Sequence, residues 1–134
     1  LGLIYLDSCI LIYLVERHPV HAVTLEAALE ASADRFAVSP LVRFECLIQP
    51  LRSSDLVRQR IYDQLLAQLV PLPIDDSVWL AAAQLRARFN LRTPDALHLA
   101  CAQLHGCEAL WTNDDRLIGA SQGFAINILR RSTV

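Results

Sequence analysis

Asp95 lies in the stretch RTPDALHLA, residues 92–100, where Thr93 and Pro94 signal a helix start with Thr93 as the N-cap. A carboxylate in that first turn is favoured by the helix dipole by roughly 0.3–1 kcal/mol. Asp95 therefore reads either as a capping-turn aspartate or as an ionised ligand that the helix start positions. Three more acids share its setting: Asp7 follows the apolar run LIYL, Asp114 follows ALWT, and Glu45 lies in a helix after a second apolar run. If these four carboxylates converge at separations near ~5 Å, each pair repels by roughly 3 kcal/mol at an effective dielectric of about 20. Protons or a divalent cation must offset that charge. An oxygen-rich site with few histidines suits Mg²⁺ or Mn²⁺ better than zinc, and a hard metal in a phosphate-sized crevice points to phosphoryl chemistry.

Convergence depends on the elements that carry the acids. Residues 3–6 read as a buried strand ending at Asp7, with a helix from Ser8 that breaks near His18-Pro19. Residues 20–33 form a second helix and residues 36–39 a second strand. Ser39-Pro40 opens a helix to about Ile48 with an apolar stripe of Leu41, Phe44 and Ile48. Ser53-Ser54-Asp55 makes a hinge before a helix to about Leu69, striped by Val57, Ile61, Leu65 and Leu69. Residues 70–74, VPLPI, are an edge strand because prolines cannot donate to a ladder. A helix over 75–89 carries Val78, Ala82, Leu85 and Phe89, with Trp79 read as core beside them. The helix 94–105 stops at Gly106, residues 109–112 are a strand running into Asn113-Asp114-Asp115 and a short helix, and residues 125–129 are a last strand before an Arg130-Arg131 tail.

Short strands alternating with helices predict an α/β fold: a mostly parallel sheet of about five strands with helices on both faces. In such sheets the crevice lies beyond the carboxyl ends of the strands, near the reversal of strand order. That rule sorts the acids. Asp7 and Asp114 project from one sheet edge, and Asp95 and Glu45 reach the same edge. Asp34, Asp55, Asp63, Asp75 and Glu26 read as caps or solvated helix faces. Each candidate keeps a plainer alternative: Asp7 as the cap of the helix at Ser8, Glu45 as a solvated mid-helix glutamate, and Asp115 as an acid adjacent to Asp114 that shares its load. His98 lies one turn after Asp95 among apolar neighbours and reads as a packed or partner-facing histidine rather than a catalytic base. Arg92 and Arg116 flank the proposed site and are candidates to hold phosphate.

The 134 residues suit one domain, 1–134, able to bury a core without staples. The 54% apolar content is above the usual range, and that surplus implies a fully covered sheet or an apolar surface left for a partner. The longest apolar run, residues 9–15, is far short of the ~18 needed for a membrane span, and no secretory signal pattern opens the chain. Cys9, Cys46, Cys101 and Cys107 match no CxxC pattern and are expected to be buried, reduced thiols in a cytoplasmic protein. A net charge of −2 supplies no global attraction to nucleic acid, so any RNA contact must be local. All twelve basic residues are arginine, whose forks suit phosphate, although genome composition accounts for such a bias equally well. The chain opens on Leu1, which leaves the native start open.

LIYLDS, PLVRFE, RTPDALHLA and LWTNDDRL together resemble the four signatures of PIN-domain ribonucleases, especially the VapC-type toxins of toxin–antitoxin pairs. The resemblance spans essentially the whole chain, and TPDALHLA is its most specific piece. It implies a three-layer α/β/α fold and Mg²⁺- or Mn²⁺-dependent endoribonuclease activity on structured RNA such as tRNA or rRNA. It also implies homodimerisation and inhibition by a VapB-type antitoxin. Carried over, Asp7, Glu45, Asp95 and Asp114 become the catalytic quartet, with Asp7, Asp95 and Asp114 as metal ligands. Ser8 and Thr112 become hydroxyl neighbours of a carboxylate, water or phosphate. A catalytically silent PIN-like module that binds RNA or protein is the alternative, and the intact quartet argues against it. A phosphoacceptor receiver domain ranks last, since it would want a lysine near the acyl phosphate and the chain has none. The apolar surplus further predicts a dimer that gains solubility when a partner helix covers an apolar groove.

Overall fold

The computed structural model describes residues 2–131. In chain order the elements are β1 (Leu3–Leu6), α1 (Ser8–Val15), α2 (His21–Ala31), β2 (Arg35–Val38), α3 (Pro40–Arg52), α4 (Leu56–Leu66), β3 (Val70–Pro71), α5 (Asp76–Phe89), α6 (Thr93–Leu104), β4 (Ala109–Trp111), α7 (Asp115–Ala120), β5 (Ala125–Ile126) and α8 (Ile128–Arg131). The strands form one parallel sheet in the order β3-β2-β1-β4-β5. From β1 the chain moves outward to β2 and β3, then crosses back to β4 and β5. Right-handed crossovers therefore place α1–α4 on one face and α5–α7 on the other. Helix contacts follow that division, with α1 against α2, α3 and α4, and α6 against α5 and α7. The result is the three-layer α/β/α architecture expected from the alternation.

Burial on both faces explains the strand sequences. Ile4, Tyr5 and Leu6 are all buried although successive side chains point to opposite sides, as a doubly covered sheet requires. The two-proline segment forms edge strand β3. Helix α6 is the most enclosed, with every side chain over residues 95–102 buried, and three of those residues are alanines that let α5 approach closely. All four cysteines are free thiols. Cys46, Cys101 and Cys107 are buried and Cys9 half-buried, and burial pushes the Cys9, Cys46 and Cys101 thiols up to about 12 and Cys107 to about 11. None is activated as a nucleophile. Among the described residues, no helix is long and apolar enough to cross a membrane.

Several local expectations are corrected. The N-cap of α6 is Arg92, not Thr93, because the Ala96 N–H already bonds the Arg92 carbonyl at 3.0 Å and Thr93 is within the helix. Ser39 occupies the N-cap position of α3 but its hydroxyl makes no capping bond; it goes to Tyr5 instead. Helix α3 runs on to Arg52 with Pro50 inside it. Its expected stripe is not its buried face: Phe44 is 63% exposed, and Val42, Cys46, Leu47 and Pro50 are buried instead. The α4 stripe holds only in part: Val57 is 68% exposed and Ile61 is exposed, Leu65 and Leu69 pack half-buried against the core, and Tyr62 is the fully buried residue of the helix, which ends at Leu66. Trp79 is 52% exposed, turned away from its buried neighbour Val78. The last strand ends at Ile126, because the Asn127 carboxamide oxygen accepts the Leu129 N–H at 3.0 Å and turns the chain into α8, which takes in Arg130 and Arg131. Residue 1 and residues 132–134 of the expected domain lie outside the described residues.

These placements separate two apolar classes. Leu110, fully buried in β4 between β1 and β5, should cost about 2–5 kcal/mol when replaced by alanine. Val57→Ala, on an exposed helix face, should change stability by no more than ~0.5 kcal/mol. Urea unfolding of both variants checks the assignment, and a Val57 effect as large as that of Leu110 would contradict it.

Candidate active site

The reversal of strand order falls at β1, whose neighbours are β2 and β4. Asp7 leaves the carboxyl end of β1 and becomes the N-cap of α1, with its Oδ1 accepting the Ser8 N–H at 2.7 Å. Its Oδ2 accepts the Thr112 hydroxyl at 2.7 Å, and Thr112 Oγ1 in turn accepts the Asp114 N–H at 3.1 Å. Thr112 therefore ties the ends of β1 and β4 together and sets the spacing of two acids. Asp114 caps α7, its Oδ1 accepting the N–H groups of Arg116 at 2.9 Å and Leu117 at 3.4 Å. Capping and site membership are compatible for both aspartates, since each cap engages Oδ1.

Asp95 enters from the first turn of α6, and Arg92 joins it to Asp114. The Arg92 guanidinium donates from Nε to Asp95 at 3.2 Å and from a terminal nitrogen to Asp114 at 3.3 Å. Glu45 reaches the site from α3 and meets His98 of α6, whose Nε2 lies 2.6 Å from Glu45 Oε1 and 3.5 Å from Asp7 Oδ1. Ligand atoms of Asp7, Glu45 and His98 lie within 4.8 Å of one another. The four expected acids thus gather at one edge in two linked pairs: Asp7 with Glu45 through His98, and Asp95 with Asp114 through Arg92. Ser8 Oγ lies 3.4 Å from Asp7. Asp115 begins α7 as an exposed first-turn acid, and Arg116 is exposed beside Asp114.

Burial pushes the Asp95 carboxyl upward, and the charges of Asp114 and Asp7 add to the push against the opposing Arg92. The helix start favours the ionised form of Asp95, while desolvation and like charge act in the opposite direction. For Glu45, burial acts upward but the hydrogen bond and charge of His98 win, and its carboxyl is held below the usual range. His98 responds in mirror image. Burial works against its charge, yet Glu45 and Asp7 raise it above the ordinary histidine value. An Asp95 carboxyl raised by its acidic neighbours, beside further carboxylates and an imidazole, forms a donor set that a divalent cation would relieve.

One feature escaped the sequence reading. His98 is packed, as expected, with 1% of its surface exposed, but its ring also bonds a site acid and, through Nδ1 at 2.7 Å, the Tyr5 hydroxyl. Two spacings carried the signal. His98 is three residues after Asp95 on a helix, and Tyr5 is two residues before Asp7 on a strand, so each shares a face with an acid.

This fold is that of a PIN domain, and the sequence profile of that family matches residues 4–121; the chain belongs to the PIN domain family. Among solved structures, a toxin–antitoxin complex from Klebsiella pneumoniae is similar with a TM-score of 0.77 and 23% identity, covering 92% of this chain and 96% of that one. VapBC2 from Rickettsia felis, bound to a DNA fragment from its promoter, is similar at 0.78 and 19%, covering 92% and 97%. Mycobacterium tuberculosis VapC20, described as a sarcin–ricin loop cleaving toxin, is similar at 0.75 and 13%, covering 87% and 94%. These identities establish a shared fold. No functionally curated protein matches the chain.

The opposed shifts of Glu45 and His98 make stability depend on pH. The Glu45 contribution is present above its unfolded value of 4.5 and is lost as pH falls through its lowered folded value. The His98 contribution is present below 6.5 and is lost as pH rises through its raised folded value. Metal-free protein should therefore melt highest between 4.5 and 6.5 as far as this pair is concerned, and lose stability above that window. Thermal melts across pH for wild type and His98→Gln check this: the decline above 6.5 should flatten in the variant.

Proposed function

We propose that this protein is a divalent-metal-dependent endoribonuclease, the toxin of a VapBC-type pair, with Asp7, Glu45, Asp95 and Asp114 as its catalytic acids. The observation that carries the reading is the meeting of four carboxylates from four elements at the β1/β4 edge, linked by Thr112, Arg92 and His98. Membership of the PIN family supports it. So do solved relatives that are toxin–antitoxin complexes or, for VapC20, a toxin described as cleaving the sarcin–ricin loop.

Asp7, Asp95 and Asp114 would hold Mg²⁺ or Mn²⁺, with Glu45 beside them. When bound, the ion would polarise the phosphodiester and lower the pKa of an attacking water. The chain's own groups divide the remaining work. Ser8 and Thr112 keep the Asp7 carboxylate in one orientation, so that its position is set before substrate arrives. Arg92 is largely solvent-exposed, so its bonds to Asp95 and Asp114 are exchangeable and its guanidinium can turn to a substrate phosphate. Arg116, exposed next to Asp114, would supply a second phosphate contact, and Asp115 remains the adjacent acid able to share the load of Asp114.

The partners follow from the same reading: structured RNA as substrate, a VapB-type antitoxin as inhibitor, and a second copy of the chain in a cytoplasmic homodimer. Exposed apolar side chains on α3, α4 and α5, including Phe44, Val57 and Trp79, support protein partners. Purified protein incubated with tRNA and rRNA in Mn²⁺ should cleave, and chelator should abolish cleavage. Asp7→Asn and Asp95→Asn should each reduce it on the order of 10²-fold or more, the size of several kcal/mol of lost charge stabilisation, while unfolding remains cooperative. Metal-independent cleavage surviving both substitutions would sink the proposal. RNA binding without cleavage would favour the silent module. Sedimentation of the isolated protein should show a dimer, and a monomer soluble at high concentration would count against the homodimer.

A further inference from the structure

We propose that His98 is the positioning residue that seats Glu45 in the acidic site, and that a buried hydrogen-bond chain from Ser39 through Tyr5 fixes His98 for that task. The inference rests on the reading of Glu45 as a site acid and adds how that acid is held.

Among the described residues neither Asp95 nor Glu45 takes a backbone N–H on its carboxylate; Asp95 is short, buried and held by the Arg92 guanidinium at 3.2 Å, whereas Glu45 carries the longer side chain. Asp7 and Asp114 are anchored by N–H groups at helix starts, whereas Glu45 is in mid-helix on α3, between exposed Phe44 and buried Cys46. A glutamate there has three side-chain torsions and open solvent within reach. Its carboxylate is held chiefly by His98 Nε2 at 2.6 Å, with the Ser8 side chain as a weaker hydrogen-bonding neighbour.

His98 is itself immobilised on every side. Its Nδ1 lies 2.7 Å from the Tyr5 hydroxyl, and Tyr5 Oη lies 2.7 Å from Ser39 Oγ. The Tyr5 and His98 rings meet edge-to-face with centroids 5.6 Å apart, which sets the imidazole plane. Tyr5, Ser39 and His98 are all buried, and among the described residues no buried side-chain nitrogen or oxygen lacks a partner.

The donors can be assigned along the chain. An ionised Glu45 only accepts, so Nε2 carries the proton and donates. In the neutral ring, Nδ1 then accepts from Tyr5, and Tyr5 accepts from Ser39. In the imidazolium, Nδ1 donates to Tyr5 and Tyr5 donates to Ser39. Either state keeps the Nε2–H bond to Glu45, so seating survives protonation change. The chain also accounts for Ser39 making no capping bond to α3: its hydroxyl is committed to Tyr5.

The spacing of the participants makes this a designed arrangement rather than an accident of packing. Tyr5 and Asp7 share one face of β1 and its extension; Ala37, the register partner of Tyr5, is two residues before Ser39. Asp95 and His98 share one face of α6. The same face of the sheet therefore presents the acids at its edge and their support one step behind.

Titration calorimetry with Mn²⁺ tests the proposal without relying on turnover. His98→Leu should weaken Mn²⁺ binding by about 10–100-fold, the range for loss of an outer-shell partner, because a Glu45 carboxylate swung away no longer lies beside the three aspartates that would hold the ion, and His98→Gln, whose amide can still donate, should recover most of it. Tyr5→Phe, which removes the support without changing volume, should weaken binding by a smaller factor, and it serves if His98→Leu fails to fold. In a Glu45→Gln background His98→Leu should have no further effect; an undiminished effect there would show that His98 acts other than through Glu45 and would overturn the proposal. Unchanged Mn²⁺ affinity in folded His98→Leu would overturn it as well. If wild type binds no Mn²⁺, the metal-dependent reading fails by itself, and a crystal structure of metal-free His98→Leu decides the positioning: a Glu45 carboxylate swung to solvent supports it, and an unmoved one ends it.

Discussion

Both oxygens of Asp7 are committed to hydrogen bonds at 2.7 Å, one to the Ser8 N–H on its own strand end and one to the Thr112 hydroxyl on the neighbouring strand. That double commitment requires β1 and β4 to lie side by side, which happens only because the chain crosses back over the sheet after β3. The crossing segment is α5 and α6, and α6 delivers Asp95 and His98 to the same edge. Without the reversal, Asp7 would face a helix instead of a second strand end, and Thr112, Asp114 and Arg92 would have no site to join. The topology and the acid cluster are one constraint seen at two scales.

Charge explains why so many neutralising contacts surround the cluster. Four ionised carboxylates face one guanidinium, Arg92, and one imidazole whose charge is favoured by Glu45 and Asp7. The upward shift at Asp95 marks where the excess is concentrated, between Asp114 and Asp7 in a desolvated first turn. Arg92 relieves it from the solvent side and His98 from the core side. Because Arg92 is exposed and His98 is enclosed, only the first is free to leave when other charge arrives.

The acids were legible in the sequence because their signals are local. A strand that stops at Asp7, another that stops before Asp114, and a proline-led helix start before Asp95 each announce themselves within a few residues. What was not legible depends on partners distant in sequence. Helices α3 and α4 carry apolar residues on more than one side, so periodicity chose the stripe through Phe44 and Val57 while packing buried Cys46, Leu47 and Tyr62. Trp79 failed for the same reason: it lies beside the expected stripe and reads with it as core, yet its helix turns Val78 inward instead. Ser39 satisfied the pattern of a cap, but Tyr5, from another strand, competed for its hydroxyl and won.

His98 shows how far local spacing can go. Its position one turn after Asp95 was visible, and its apolar neighbours correctly implied burial. An imidazole buried without partners would carry two unsatisfied nitrogens, each costing about 1–3 kcal/mol. Burial therefore demanded polar partners on both sides of the ring, and the site edge was the nearest source of one of them. Tyr5, on the same strand face as Asp7, supplies the other. A buried histidine beside an acid on the same helix face is thus a statement about its unseen partners, and here those partners join the core of the sheet to the carboxylate that the rest of the helix leaves loose.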